Sequence, residues 1–190
     1  MPRAGLTHGR VVAEAAVVAD QVGFDHLTLA AVAQRLGVAL PSLYKHVTGL
    51  DGLRRDLAIL GMRELASRLS KAAMGRSERD ALTAVSHAYR AFATERPGLY
   101  ASTMRAPASD DQERTAVSQD ALDVAIAVMG SYDIDLPDAV HAIRIYRSAM
   151  HGFVAQEAGG GFGMPETVDE SYRRMIDVLH VAFTSWKEQR

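Results

Sequence analysis

The chain is 190 residues long, carries a formal net charge of −2 and contains no cysteine. A chain of this size buries a core without covalent staples, and the lack of thiols removes disulfide frameworks, thiolate metal sites and cysteine nucleophiles from consideration. Its first stretch, Met1-Pro2-Arg3-Ala4-Gly5-Leu6-Thr7-His8-Gly9-Arg10, has no apolar run behind its positive charge; nowhere does the chain approach the roughly 18 uninterrupted apolar residues of a membrane span, so a soluble, cytoplasmic protein with no membrane partner is expected.

In chain order, apolar residues recur at helical spacing and strand-like alternation is scarce, which predicts an all-α fold of about nine helices. Thr7 is placed to cap a first helix through Val11, Val12, Ala15, Ala16, Val18 and Ala19, and Gly23 to end it. Thr28 caps a short second helix, Leu29 to Leu36, closed by Gly37; after the turn Val38-Ala39-Leu40 a third short helix is expected from Pro41 to His46. A long helix follows from Asp51 to about Ala73, striped by Leu53, Leu57, Leu60, Leu65 and Leu69. Ser77 starts the next, which runs toward Arg96, and Pro97-Gly98 breaks the chain before a shorter helical piece through Leu99, Tyr100 and Met104. Beyond the break at Pro107-Ala108-Ser109-Asp110, helices are expected from Asp110 to Met129, from Pro137 to Glu157 and from Thr167 to Lys187, with Gly159 to Pro165 a loop between the last two.

The informative stretch is Phe24 to Val47. It has the form of a helix-turn-helix: a short amphipathic helix, a glycine turn, and a second short helix with exposed polar residues. Ala33 is small where the helices approach, Gly37 permits a positive φ, and Val38 and Leu43 can lock the second helix into the core. Such a pair lets one helix cross a DNA backbone while the other enters the major groove; as a bare pattern it also fits a plain helical hairpin. The negative net charge runs against a general nucleic-acid binder. From Arg3 to Arg55, however, Arg3, Arg10, Arg35, Lys45, Arg54 and Arg55 face only Glu14, Asp20, Asp25 and Asp51, so any DNA contact is expected to be local to this segment.

In this stretch, Thr28, Leu36-Gly37-Val38 and Leu43-Tyr44-Lys45-His46-Val47 together closely resemble the TetR family of bacterial repressors. The resemblance covers about Leu6 to Leu57; farther on, Met150-His151-Gly152-Phe153 resembles the histidine-glycine core of one recurrent TetR C-terminal domain, with Met150 where that type usually has tryptophan. It implies a helix-turn-helix domain at residues 1–50 and a ligand-binding and dimerisation domain at 51–190. Thr28 would hydrogen-bond phosphate at a helix N-terminus, Tyr44 and His46 would contact phosphate, and Leu40, Pro41, Ser42 and Lys45 would face base edges. Where the family commonly has lysine, this chain has Leu50, and Arg54 or Arg55 is positioned to stand in. Taken alone, His46 also fits a helix-capping or core histidine.

A single helix-turn-helix gains too little contact to select a genomic site, so a homodimer on a palindromic double-stranded operator is implied. The last two long helices carry the apolar faces for it: Val140, Ile143, Ile145, Ala149 and Phe153 on one, and Met175, Val178, Leu179, Ala182, Phe183 and Trp186 on the other. The same stripes fit the alternative in which both helices complete the monomer core. Between Ser77 and Glu157 the resemblance implies a pocket for a small, mostly apolar effector. Candidate liners are Tyr89, Phe92, Tyr100 and Met104, then Met129, Tyr146, Met150 and His151, with plain core packing the competing account of each. His87, His151 and His180 are candidate polar anchors, or simply hydrogen-bonded helix histidines.

Nothing calls for a cofactor or a metal. The chain has no Gly-x-Ser-x-Gly elbow, no His-Glu-x-x-His and no phosphate-cradling Gly-x-x-x-x-Gly-Lys, and its aspartates are scattered rather than paired, so an enzyme is not expected. The remaining alternative is a helical ligand-binding or interaction module without DNA, which leaves Tyr44, Lys45 and His46 without a task.

Overall fold

The computed structural model describes residues 5–186; Arg3 in the charge tally above and Lys187 at the expected end of the last helix lie outside the described residues. Among those described, the chain forms eight α-helices, two short 3-10 segments and no strand.

Helix α1 (His8–Val22) begins where the extended Thr7 accepts a hydrogen bond from the Arg10 amide, and ends at Gly23. A 3-10 turn, Phe24–His26, leads to α2 (Leu29–Leu36), whose cap Thr28 accepts from the Ala31 amide at 3.2 Å. These starts follow from local chemistry, since an extended Thr satisfies an amide that the first turn leaves without a partner. Gly37 closes α2 in the left-handed region (φ +67°, ψ 34°), where a Cβ is disfavoured.

The third expected helix is instead a 3-10 segment, Leu40–Lys45. Its bonds run from the Ser42 amide to the Ala39 carbonyl and from the His46 amide to the Leu43 carbonyl. Pro41 cannot donate, and so short a segment has no room for an α-helical ladder, so the tighter turn forms. The remaining helices are α3 (Gly49–Ala73), α4 (Glu78–Glu95), α5 (Pro97–Ser102), α6 (Gln112–Gly130), α7 (Asp138–Ala158) and α8 (Val168–Thr184). Pro97 does not precede α5 as a break but opens it at the position where its missing N–H is harmless.

The chain divides into two compact units, residues 1–64 with 95–117 and residues 65–94 with 118–190, so that α3 begins in the first and ends in the second. In the first unit, α1 buries a small-residue face, Val11, Ala15, Ala16 and Ala19, and packs on both α2 and α5. The approach to α5 is close: a Cβ on Gly98 would lie 2.1 Å from the Ala19 carbonyl carbon. Around this contact, Arg96 donates to Asp20 Oδ2 at 2.6 Å and to Glu64 Oε2 at 2.9 Å, while Asp20 Oδ1 accepts from the Leu99 amide.

The second unit buries rings and thioethers along with its aliphatic side chains. Leu82 and Phe92 of α4, Met129 of α6, Met150 of α7 and Tyr172 and Phe183 of α8 are fully buried, each such aliphatic or aromatic burial contributing roughly 1.5–3 kcal/mol before entropy is counted. Buried Ser86 ties three helices together: it donates to the Leu82 carbonyl, its hydroxyl lies 3.2 Å from that of Tyr146, and its own carbonyl accepts from Tyr172. Arg90 pairs with Glu157 and Asp169 and lies over the Tyr172 ring.

Candidate nucleic-acid interface

In the first unit, α2 and the 3-10 segment form a helix-turn-helix whose inner side is apolar. Leu27, Val32, Ala33, Leu43 and Val47 are buried. After Gly37, the Val38 amide returns to the Ala33 carbonyl, which sets the direction in which the second segment leaves. That segment then places adjacent residues on opposite sides: Leu43 is 0% exposed and Tyr44 is 59% exposed. Thr28, Leu40, Pro41 and Lys45 are also exposed, and Ser42 and His46 are half-buried. The expected DNA-facing residues thus share one short, outward-facing segment and the cap of the helix before it. A phenol and an ammonium held in solvent by a fully buried leucine are not core features, so the plain hairpin reading leaves them idle.

Side-chain contacts tie α1 to α2 and to α3. Arg35 of α2 donates to Glu14 of α1 at 2.6 Å, and the His8 ring nitrogen lies 2.9 Å from Asp56. The two arginines expected to stand in for a lysine at Leu50 are already engaged. One guanidinium nitrogen of Arg54 donates to the Asp25 carbonyl, with its group over the Phe24 ring. Arg55 makes a two-pronged pair with Asp111 at 2.7 Å and reaches Glu113 at 3.2 Å. These hydrogen bonds, Asp111's first, hold Arg55 above the usual arginine range, and the same Arg55 bonds hold the Asp111 carboxyl below the usual carboxylate range. Pairs separated by more than fifty residues leave no trace in local sequence pattern.

The expected effector-pocket residues are drawn from both units. Tyr89, Phe92, Met129, Tyr146 and Met150 are buried in the second unit, whereas Tyr100 and Met104 belong to the first. His151 is exposed: it follows the buried Met150 on α7, and one step along a helix turns a side chain by about 100°. Met129 and Tyr146 line a wholly apolar cavity of about 20 Å³ together with Leu82, Val85 and Val128. Burial pushes the Tyr146 and Tyr172 phenols well above their ordinary range, and does the same for Tyr132, whose hydroxyl lies 3.0 Å from His180 Nδ1. His87 is exposed beside the Tyr172 ring.

The dimer-face residues also divide. Leu179 and Phe183 are buried in their own unit, Phe153 packs on Phe162 and Tyr172, and Trp186 donates to Asp138. Val140, Ile143 and Met175 are half-buried. The outward apolar side chains are Ile145, Val178 and Val181, the last two 67% and 65% exposed. Val181 escaped sequence reasoning because α8 carries two apolar stripes, and spacing alone does not say which one the core takes.

Comparison with known proteins bears on the family and the fold. Residues 82–179 match a family described as the tetracyclin repressor-like C-terminal domain. An uncharacterized HTH-type transcriptional regulator of Mycobacterium tuberculosis is 38% identical over 158 residues, 83% of this chain and 72% of that protein. A second, from Bacillus subtilis, is 34% identical over 173 residues, 90% of this chain and 88% of the relative. Among solved structures, a protein of unknown function from Rhodococcus sp. RHA1 superposes with a TM-score of 0.79 at 23% identity, covering 95% of this chain and 97% of that one. A TetR variant from Acinetobacter baumannii AYE in complex with minocycline superposes with a TM-score of 0.70 at 22% identity, covering 94% and 97%.

Proposed function

The chain belongs to the TetR family of helix-turn-helix transcriptional regulators, which are not enzymes, and from that premise we propose that it is a cytoplasmic repressor that binds a palindromic DNA operator as a homodimer and leaves it when a small, mostly apolar effector binds. The observation that carries the DNA-binding reading is the juxtaposition of buried Leu43 with outward Tyr44 and Lys45 on one short segment. Residues 1–50 read DNA and 51–190 bind ligand and pair. Thr28, Tyr44 and His46 contact phosphate and fix register; Leu40, Pro41 and Ser42 meet thymine methyls, and Lys45 donates to guanine or phosphate.

Dimerisation uses α8, where Val178 and Val181 are exposed on the same side as half-buried Met175, together with α7, on which Val140 and Ile143 are half-buried and Ile145 is exposed. Phe153, Leu179, Phe183 and Trp186 hold these helices in place from behind. The effector enters the second unit at the cavity bordered by Met129 and Tyr146, with Tyr89, Phe92 and Met150 in the surrounding core. About 20 Å³ holds roughly one water molecule, so the effector enlarges the cavity as it binds. The resulting shift passes along α3, which is continuous between the two units, and alters the separation of the paired reading segments.

Selection of randomised duplexes by the purified protein, with the mass of the complex measured on the winning sequence, tests this. A palindromic winner carrying two chains is expected. Enrichment of no sequence, or a winner without symmetry bound by one chain, would overturn it and favour a helical ligand-binding module.

A further inference from the structure

We propose that the first unit holds an anion site of its own, separate from the effector cavity: a cleft that takes a small organic anion, a carboxylate or a phosphate monoester with a short hydrocarbon chain. The cleft has a volume of about 430 Å³, within the range of small-molecule sites. It is formed by the turn before the helix-turn-helix, the first half of α3, the end of α5 with the residues after it, and the start of α6.

Four guanidinium groups line it, those of Arg54, Arg55, Arg105 and Arg114. Arg55 is neutralised by Asp111 and Glu113. Of the others, Arg54 and Arg114 donate through their guanidinium groups to backbone carbonyls, of Asp25 and Arg105 respectively, with Asp111 acting on Arg114 as well as on Arg55, and the Arg105 side chain is exposed. Asp25 and Asp51 stand against these three, leaving a cationic balance. Arg54 adds a more specific sign, because its Nε–H is buried with no hydrogen-bond partner. A buried donor without a partner is destabilising until an acceptor reaches it, and a planar guanidinium is matched in geometry by a two-oxygen head group. Phe24 and Met104 supply an apolar wall, so a hydrocarbon tail adds affinity that inorganic phosphate lacks.

The test is calorimetric titration of the full-length protein, without DNA, by octanoate, octyl phosphate, octanamide and inorganic phosphate. Because no DNA is present, its failure is distinguishable from failure of the operator reading. At least one octyl anion is expected to bind with Kd below about 10 mM, with octanamide and inorganic phosphate at least about tenfold weaker. Binding of octanoate alone identifies the occupant as a carboxylate, and of octyl phosphate alone as a phosphate ester. Arg105→Glu, on an exposed side chain whose loss leaves the fold intact, should raise Kd at least about tenfold, while Lys71→Glu, the same charge change in the second unit, should leave it unaltered. Equal binding of octanamide, no binding of either octyl anion, or equal effects of the two charge reversals would each overturn the site.

Discussion

In the first unit Tyr44 and Lys45 point outward, and α1 meets α5 through small residues, Ala15, Ala16 and Ala19 with Gly98 against them, whereas in the second Ser86 lies buried among large rings with Tyr146 and Tyr172 each bonded to it. The contrast follows from what each unit is asked to do. A reading surface must hold a few side chains at fixed positions in solvent, and backbones in near contact make a stiff platform. A core of soft and aromatic groups with a few polar tips can rearrange around a guest, because its hydrogen bonds and ring contacts have alternatives.

The contrast can be attacked from both sides. The largest effect is expected from Gly98→Ala: the added methyl meets the Ala19 carbonyl at 2.1 Å, so the first unit should lose about 3 kcal/mol in denaturant unfolding. Alkali should break the second unit. The phenols of Tyr132, Tyr146 and Tyr172 are held above their ordinary value of 10.0, chiefly by burial. Their protonated forms stabilise the folded state fully below pH 10, and that stability is lost as pH rises above it. Tyrosinate absorbance from Tyr146 and Tyr172 should therefore appear only together with loss of helical ellipticity, with half-buried Tyr132 ionising no later than they do; ionisation of the two buried phenols before unfolding would contradict their burial.

A smaller change is expected from Ser86→Ala, which removes the hydroxyl beside buried Tyr146 and should cost about 1 kcal/mol while leaving the Tyr172 bond to the backbone carbonyl in place. Smallest in stability is Tyr44→Ala, within about 0.5 kcal/mol of the parent in thermal unfolding. Its loss of DNA affinity, about tenfold, should be equal across operator sequences, whereas changes at Lys45 should alter preference among them.

The ends of α1 and α2 were legible in sequence because Thr7, Gly23, Thr28 and Gly37 act on amides and carbonyls a few residues away. The form of the third segment was not, since the 3-10 geometry of Leu40–Lys45 depends on how Leu43 seats in the core as well as on Pro41. The family resemblance named Met150 and His151 together as pocket candidates, and only the structure shows that the first is buried and the second exposed; spacing likewise left Leu179 and Val178 equivalent until the partners of α8 were known. The cleft joins Asp25 to Arg114 across distant parts of the chain, and no window of sequence contains it.

The most direct test of the central claim, that the outward face of the first unit binds duplex DNA, is titration of a selected duplex at 50 and 200 mM salt, conditions between which a protein making several phosphate contacts loses orders of magnitude in affinity. The wild-type protein should show that steep fall, and Tyr44→Ala and His46→Ala should bind more weakly at both concentrations. Affinity independent of salt, or unaltered in both variants, would contradict it.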